Sequence, residues 1–468
     1  MPYTRREVVS SSLILAAAVA APAFAKAESF DAIVVGAGLA GLQTALKLQA
    51  AGLKVLVIEA LARSGGRLHT LEVDGQRFDT GGVEVGAGYQ RLIALAEALA
   101  VTLEKPSGVP LPMGLGFGTA NLKPEQWAKS ELNALPEAER ATPPPQLLMA
   151  AMAKPNPLKR AADWLNPEHA ALDIPLWDHL AQAGASALAL SYMDAAANFS
   201  SLRRVSALDC LRRDALRREG IQAVLRIKGG SQTLTDAMAA KLKLPIRLGA
   251  ELTAVSTNRT GATLTLRDGR TLTARSVVLT LPTAPLAKIT FDPPLPKPQA
   301  QAIRERLSTG VTQIHLQPLR PYFEQDGLPP NQWFASPIER LLSITDAQGK
   351  VIRQVLWING DASRTLDGFD DKALADWALL ELNRMRPATR GAVRVLAVNS
   401  WSRSPFSGGA YAEIAAGRCA TTAAWTAKPH SRVYFAGEHT EFSEPGLESA
   451  LKSADRVVRE IAQKAVRG

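Results

Sequence analysis

Between residues 30 and 70 the hydropathy pattern changes period twice. FDAIVV is an apolar run in which Ile33, Val34 and Val35 are β-branched, and it leads directly into glycines. A short run of that kind, bounded by a turn, predicts a strand buried on both faces. Apolar positions at helical spacing follow as far as Gly52, and a second apolar run from Val55 to Ile58 closes on Glu59. Strand, helix and strand in such quick succession predict a βαβ unit with parallel strands. Farther on, ELTAVSTNRTGATLTLRDGRTLTARSVVLTLP alternates apolar and polar residues, turns at Asp268-Gly269 and ends in the apolar run Val277 to Leu281. It predicts a hairpin feeding a buried parallel strand. LHTLEVDGQRFD predicts another hairpin with Asp74-Gly75 at its turn. Leu172 to about Arg218, DDKALADWALLELNRM and the stretch after Gly446 carry helical periodicity. Residues 104–160 are rich in proline and glycine, with Pro143-Pro144-Pro145 marking a break, and predict a long excursion over the surface or over the entrance to a site.

Three glycines, Gly36, Gly38 and Gly41, occupy the first turn of the βαβ unit in the order G-x-G-x-x-G. Gly36 permits a tight turn, Gly38 lets backbone approach a pyrophosphate, and Gly41 lets helix and strand pack closely. The free N–H groups at the helix N-terminus then face negative charge. Glu59, about 20 residues beyond the glycines, is placed to accept from ribose hydroxyls. The pattern predicts a dinucleotide site. Directly after Glu59, Arg63, Gly65, Gly66 and Arg67 spell R-x-G-G-R. This resembles the second fingerprint of FAD-binding oxidoreductases. The resemblance implies that these glycines pass close to the cofactor while the arginines hold its phosphates.

Length and composition fit a two-domain globular protein, since 468 residues exceed one compact core and the chain is 46% apolar. The first 27 residues have a pattern of their own. Arg5 and Arg6 precede an apolar stretch from Leu13 to Ala21, and Ala23-Phe24-Ala25 supplies a small-x-small cleavage site, which together predict a signal peptide. The arginine pair, in TRREVV, resembles the twin-arginine export signal. That implies a twin-arginine translocase as partner and delivery of an already folded protein to the periplasm or beyond. The apolar run is shorter than the ~20 residues a spanning helix needs, and no stable membrane span is predicted elsewhere. Cleavage after Ala25 removes Arg5, Arg6 and Glu7, lowering the formal net charge of +10 by one. The remaining excess is scattered except at Arg203, Arg204, Arg212, Arg213, Arg217 and Arg218. These read as a solvated helical face, with docking to a partner or a membrane surface as the alternative. No nucleic-acid partner is expected. The two cysteines, Cys210 and Cys419, and the histidines show no metal-ligand spacing, so no metal is expected, and whether the cysteines pair stays open.

Two further segments carry a more specific resemblance. Phe78-Asp79-Thr80-Gly81-Gly82, followed by Gly86 and a helix with Leu92, Leu95 and Leu99, is one; the C-terminal FAGEHT, with Gly446 and Leu447-Glu448 after it, is the other. Both resemble the flavin-containing amine oxidases, such as monoamine and polyamine oxidases, in order and spacing over nearly the whole mature chain. The resemblance implies an α/β protein. An FAD-binding Rossmann-type, glutathione-reductase-like domain would take residues 28–85, 219–299 and 421–468, and an interleaved α+β substrate domain residues 86–218 and 300–420. Gly81 and Gly82 would run past the flavin, the backbone near Leu252 would meet the adenine, and Gly437, Glu438, Gly446 and Leu447 would form the C-terminal part of the FAD site.

A flavin enzyme of this kind holds a substrate C–H against N5 and excludes competing reactions. An amine nitrogen must be neutral before hydride leaves the adjacent carbon, which favours an apolar, aromatic-walled site. The imine product then hydrolyses to an aldehyde or ketone. In the family two aromatic side chains often flank the amine. Tyr411 matches the first position, while the second holds Leu447. Ala410 stands where monoamine oxidases bond the flavin through cysteine, so noncovalent FAD is expected. Gln313 matches a lysine that holds a water near N5 and aids reaction with oxygen. A neutral amide there leaves oxygen and a periplasmic acceptor both open as destinations for the electrons. Two alternatives stand beside a small-molecule amine as substrate. One is an L-amino-acid oxidase, for which the sequence places no arginine at a substrate carboxylate; the other is a non-catalytic exported flavoprotein acting as a binding or assembly factor.

Overall fold

The computed structural model describes residues 29–467 apart from 107–109, 154, 221–222 and 445. The export signal expected at residues 1–27 lies outside the described residues. Strand β1 (Ser29–Val35) is followed by helix α1 (Leu39–Ala50) and strand β2 (Val55–Ile58). β1 pairs in parallel with β2 on one side and with β3 (Thr271–Leu279) on the other. The C-terminal half of β3 also pairs in parallel with β4 (Val433–Phe435). Both faces of these strands are covered, and alternate residues serve two different cores. Ala32 and Val34 of β1 pack with α1 and the last helix, α2 (Gly446–Arg467). Ile33 and Val35 pack against Val255 and Leu264 of an antiparallel meander, Leu252–Thr257 and Ala262–Leu266, which runs into β3. A strand buried on both sides needs apolar residues at every position, which is why a continuous apolar run marked it.

A second seven-stranded sheet runs Val393–Ser400, Val311–Pro318, Val351–Asn359, Arg340–Thr345, Asn331–Phe334, Met113–Phe117, Ala120–Leu122. Its pairs are antiparallel except that Asn331–Phe334 and Met113–Phe117 run together. Helix Asp371–Met385 presents Leu374, Ala378 and Leu382 to Ile314, Leu316, Leu356 and Ile358 on one face. By strand alternation Val311, His315, Val355 and Trp357 point the other way, into a large cavity. Helices Leu176–Gln182, Ala187–Ala196 and Ala207–Gly220 build a further core beside this sheet.

Two expectations need correcting. Residues 104–160 do not simply run over the surface: Met113–Phe117 and Ala120–Leu122 complete the second sheet, and Trp127 is buried with its ring stacked on Phe117, centroids 5.4 Å apart. Pro144 opens the helix Pro144–Met152. Proline in the first helical turn gives up an N–H that has no partner there, so the proline run marks a helix start. The arginine-rich stretch, likewise, is a solvated face only in part: Arg203, Arg204, Arg217 and Arg218 are exposed, whereas Arg212 is buried and Arg213 half-buried. Arg212 and Arg213 both bond the fully buried Asp209, and Arg217 and Arg218 bond Asp214. Arg204 pairs with Asp361, and the Arg203 guanidinium lies 3.4 Å from the Trp177 ring centre. The sequence repeats D-x-x-R-R twice, and those i,i+3 and i,i+4 spacings were the signal. Cys210 and Cys419 are buried free thiols. Among the described residues no helix is long and apolar enough to cross a membrane, and no His, Cys, Asp and Glu cluster could hold a metal ion.

Candidate active site

The C-terminal ends of β1, β2 and β3 open into a cavity of about 1410 Å³ that extends to the inner face of the second sheet. A single small-molecule site typically measures ~300–1,000 Å³, so this one has room for a cofactor and a substrate together. The glycine turn forms its floor. Gly36 holds φ at 105° and Gly41 lies so close that a Cβ would stand 1.9 Å from the Gly36 carbonyl oxygen. Gly38 has an ordinary φ of −80°, and a Cβ there would make only ordinary contacts, with Gly66 Cα at 3.8 Å and the Gly65 carbonyl oxygen at 3.9 Å. Its value is bare backbone on the cavity wall. The R-x-G-G-R loop lies directly against this turn. Gly65 N–H donates to the Ala37 carbonyl at 2.9 Å, and Arg63 folds its own loop by donating to the Ser64 and Gly66 carbonyls at 3.0 Å. Burial pulls the Arg63 pKa below its ordinary value, with Glu59 and Asp236 opposing.

Glu59 closes β2 as expected, and its carboxylate has a second task. Oε2 accepts the Ala37 N–H at 2.8 Å and Oε1 the Leu61 N–H at 2.9 Å. Each carboxylate oxygen can accept more than one hydrogen bond, and Glu59 lines the cavity, so it still fits a ribose diol. Leu252 lines the same end.

At the other end Arg67 donates to the Ala410 carbonyl at 2.8 Å and to Glu438 Oε1 at 2.9 Å; that oxygen also takes the Ala412 N–H at 3.0 Å. Burial works against ionisation of Glu438, but Arg67, His439 and Arg306 outweigh it and hold the carboxyl below its usual range. Gly437 takes φ of 127° and Gly446 opens α2 at the wall. Gly81 and Gly82 both line the cavity, and Gly81 passes under Trp401, whose indole N–H donates to the Thr80 carbonyl at 2.9 Å; a Cβ on Gly81 would stand 2.7 Å from that indole ring. His69 shares this wall, and burial first, then Arg63, pushes its pKa down to about 4.

Tyr411 and Leu447 both line the cavity. Burial pushes the Tyr411 phenol up to about 12, so it is neutral at any working pH. Gln313 is placed differently. It is fully buried and shares the face of Val311 and His315, yet it is not itself part of the wall. Its neighbours across the sheet, Trp357 and Asn399, do line the cavity. Asn399 donates to Gln313 Oε1 at 3.4 Å, and Gln313 Nε2 has no partner among the described residues. Sequence reasoning missed the rest of this wall: Arg340, Leu342, Arg353, Val355, Trp357 and His315. His315 packs on Phe78 with centroids 4.5 Å apart and the rings tilted by 37°, and burial with Arg353 beside it pushes its pKa down to about 3. Period-two spacing in Arg340–Thr345 and Val351–Asn359 was the available signal.

These residues fit FAD: bare glycine backbone where a pyrophosphate must approach, a carboxylate for the ribose, and a cavity long enough to reach from Leu252 to Tyr411. Relatives agree. The chain is 25% identical over 456 residues to an L-amino-acid oxidase of Siganus canaliculatus, covering 92% of this chain and 84% of that protein. It is 26% identical over 476 residues to the (S)-6-hydroxynicotine oxidase of Paenarthrobacter nicotinovorans, covering 92% and 99%. The fold matches cyclohexylamine oxidase from Brevibacterium oxydans IH-35A with a TM-score of 0.74 at 20% identity, covering 94% of this chain and 100% of that one. Residues 39–462 match the flavin-containing amine oxidoreductases as a family, a span that takes in the R-x-G-G-R loop and the Tyr411 wall, and the chain belongs to that family.

Proposed function

We propose that a small-molecule amine sits against Tyr411 and Leu447, with the carbon that bears its nitrogen turned toward the flavin. FAD bound in the cleft supplies a hydride acceptor, and the oxidised amine leaves as an imine that hydrolyses to an aldehyde or ketone. Everything else falls to the chain. Residues 28–85, 219–299 and 421–468 hold the cofactor and 86–218 with 300–420 shape the substrate side. Gly36, Gly38, Gly65 and Gly66 offer bare backbone, and Ala410 has no nucleophile with which to bond the ring. Tyr411 stays neutral and presents an aromatic face, while Leu447 supplies an aliphatic one. Arginines on the sheet wall, Arg340 and Arg353, add a field that disfavours a second positive charge. Desolvation and that field both lower the pKa of a bound ammonium, delivering the neutral nitrogen that hydride loss needs.

The observation that carries this reading is the single cavity in which the glycine turn, the R-x-G-G-R loop and Tyr411 meet. Its test is anaerobic mixing of the yellow protein with a panel of amines. Bleaching of the visible flavin band by one of them supports an enzyme; a band that none of them bleaches favours a binding or assembly factor.

Two finer points belong to the same proposal. The Arg5-Arg6 pair in TRREVV supports export of the folded protein by a twin-arginine translocase, to the periplasm or beyond. Gln313, neutral where a lysine would assist oxygen, supports a periplasmic acceptor as the preferred destination of the electrons.

A further inference from the structure

Two arginines on the inner face of the second sheet keep a buried Nε without a partner among the described residues: Arg353, which lies 4.4 Å from the Phe78 ring centre, and Arg340, which shares a transverse row with Gln313. Arg340 lines the cavity with its side chain 13% exposed. Nη2 donates to Asn198 Oδ1 at 2.8 Å, whereas Nε is buried and has no partner among the described residues. The nearest carboxylate oxygen, on Glu339, is 3.9 Å away and already accepts the Asn359 backbone and side-chain N–H groups at 3.0 and 3.1 Å. Burial also pushes Glu339 up to about 8, so near pH 7 it offers Arg340 little countercharge. A guanidinium removed from water without an anionic partner is costly, and an anchor for Asn198 alone would not need the charge.

Its position gives the charge a use. Arg340 pairs across the sheet with Trp357, Trp357 with Gln313, and Gln313 with Asn399. The four form one transverse row, and Arg340 lines the same cavity as Tyr411. Of the two acids whose field reaches Tyr411, Glu84 is solvent-exposed and so screened, and the buried Glu413 is already engaged by the Ser200 N–H and by Arg213. We propose that Arg340 receives a carboxylate carried by the amine substrate, so that the natural substrates are amino acids rather than simple amines. A planar guanidinium with free N–H donors is the side chain best matched to a carboxylate. The inference rests on the amine reading of the site and narrows it.

The test uses FAD-loaded protein and matched substrates with and without the carboxylate: L-phenylalanine against phenethylamine, and 6-aminohexanoate against pentylamine. Anaerobic flavin reduction should favour the carboxylate member of at least one pair by on the order of 100-fold in kcat/KM, the loss expected when a buried charge pair loses one partner. Arg340→Gln should erase that preference, and Arg340→Lys should keep part of it. Benzoate, a carboxylate with no amine, should perturb the flavin spectrum of the wild type and bind the Arg340→Gln protein much more weakly. A purely structural Arg340 would instead lower FAD content and slow both members of each pair alike. Equal rates within both pairs in the wild type, or a preference that survives in Arg340→Gln, overturns the assignment of Arg340 alone. Should no amine or amino acid reduce the flavin, the amine reading fails and this inference with it.

Discussion

Glu59 does two jobs with one carboxylate: it holds the glycine turn through Ala37 N–H and faces the ribose end of the cleft. Glu59→Ala strips a buried N–H of its acceptor, a loss of about 1–3 kcal/mol, in the same place where a ribose contact goes. FAD occupancy after dilution should fall several-fold, read as the ratio of flavin to protein absorbance, and an unchanged ratio would count against the assigned cradle. Ala410 leads to a simpler expectation. Heat or acid precipitation should release intact FAD into the supernatant, and colour that stays with the pellet contradicts noncovalent binding. Gln313 bears on the fate of the electrons. Reaction of a reduced flavin with oxygen develops negative charge, which a nearby cation stabilises and a neutral amide stabilises less. Arg340 lies two strands across the same row, roughly 10 Å away at ~4.8 Å per strand, too far to replace it fully. Gln313→Lys should therefore speed reoxidation by oxygen about tenfold, the equivalent of 1.36 kcal/mol, while changing flavin reduction less. Stopped-flow traces of both half-reactions decide it, and a wild type that reoxidises in air as fast as it is reduced would mark an ordinary oxidase.

Helix Ala207–Gly220 shows what can be read at the level of an element and what cannot. Its ion pairs were written in the repeated D-x-x-R-R spacing, but that Asp209 would be fully buried was not, because burial depends on partners such as Arg306 and Ile414 from distant segments. Burial alone would raise the Asp209 pKa; Arg213, Arg212 and Arg306 outweigh it and depress it well below the ordinary value. A carboxyl with a depressed folded pKa contributes stability above its unfolded pKa of about 3.9 and loses it as pH falls toward the folded value. Stability from this group should thus be flat from about pH 5 to 8. Asp209→Asn should cost about 3–5 kcal/mol near neutral pH, since it leaves buried guanidiniums without their anion, and should lessen the acid-induced loss; equal urea midpoints for the two proteins at pH 7 would refute it. The same distinction explains the rest. β1, α1 and β2 were legible because their partners lie within one short segment and their apolar pattern is uninterrupted. The cavity wall was not, because whether Arg340 or Trp357 faces substrate is set by pairing across strands far apart in sequence. Proline at 143–145 misled for a local reason: the same residue breaks a helix from within and starts one at its first turn.

At the scale of the whole molecule, the cofactor cleft cannot close until almost the entire chain exists. Its sheet takes β1 and β2 from the N-terminal end, β3 from the middle and β4 from the C-terminal end, and the wall includes Gly446 at the start of α2. A nascent chain threaded across a membrane in an unfolded state would deliver these pieces separately, on the side away from the cell's supply of FAD. A route that carries folded proteins avoids this, because all three segments and the cofactor can assemble first. That physical requirement stands independently of the sequence signal at Arg5 and Arg6, and the two converge on the same expectation. Replacing both arginines by lysine keeps the charge and changes only the side chain that a translocase would recognise. The double variant should accumulate in the cytoplasm as a yellow, uncleaved precursor that retains FAD through purification, while the periplasmic fraction loses most of its flavin-bound protein. Fractionation followed by flavin fluorescence of each compartment measures it. Normal delivery of the lysine variant to the periplasm would point to the general secretory route and require the FAD site to assemble after export.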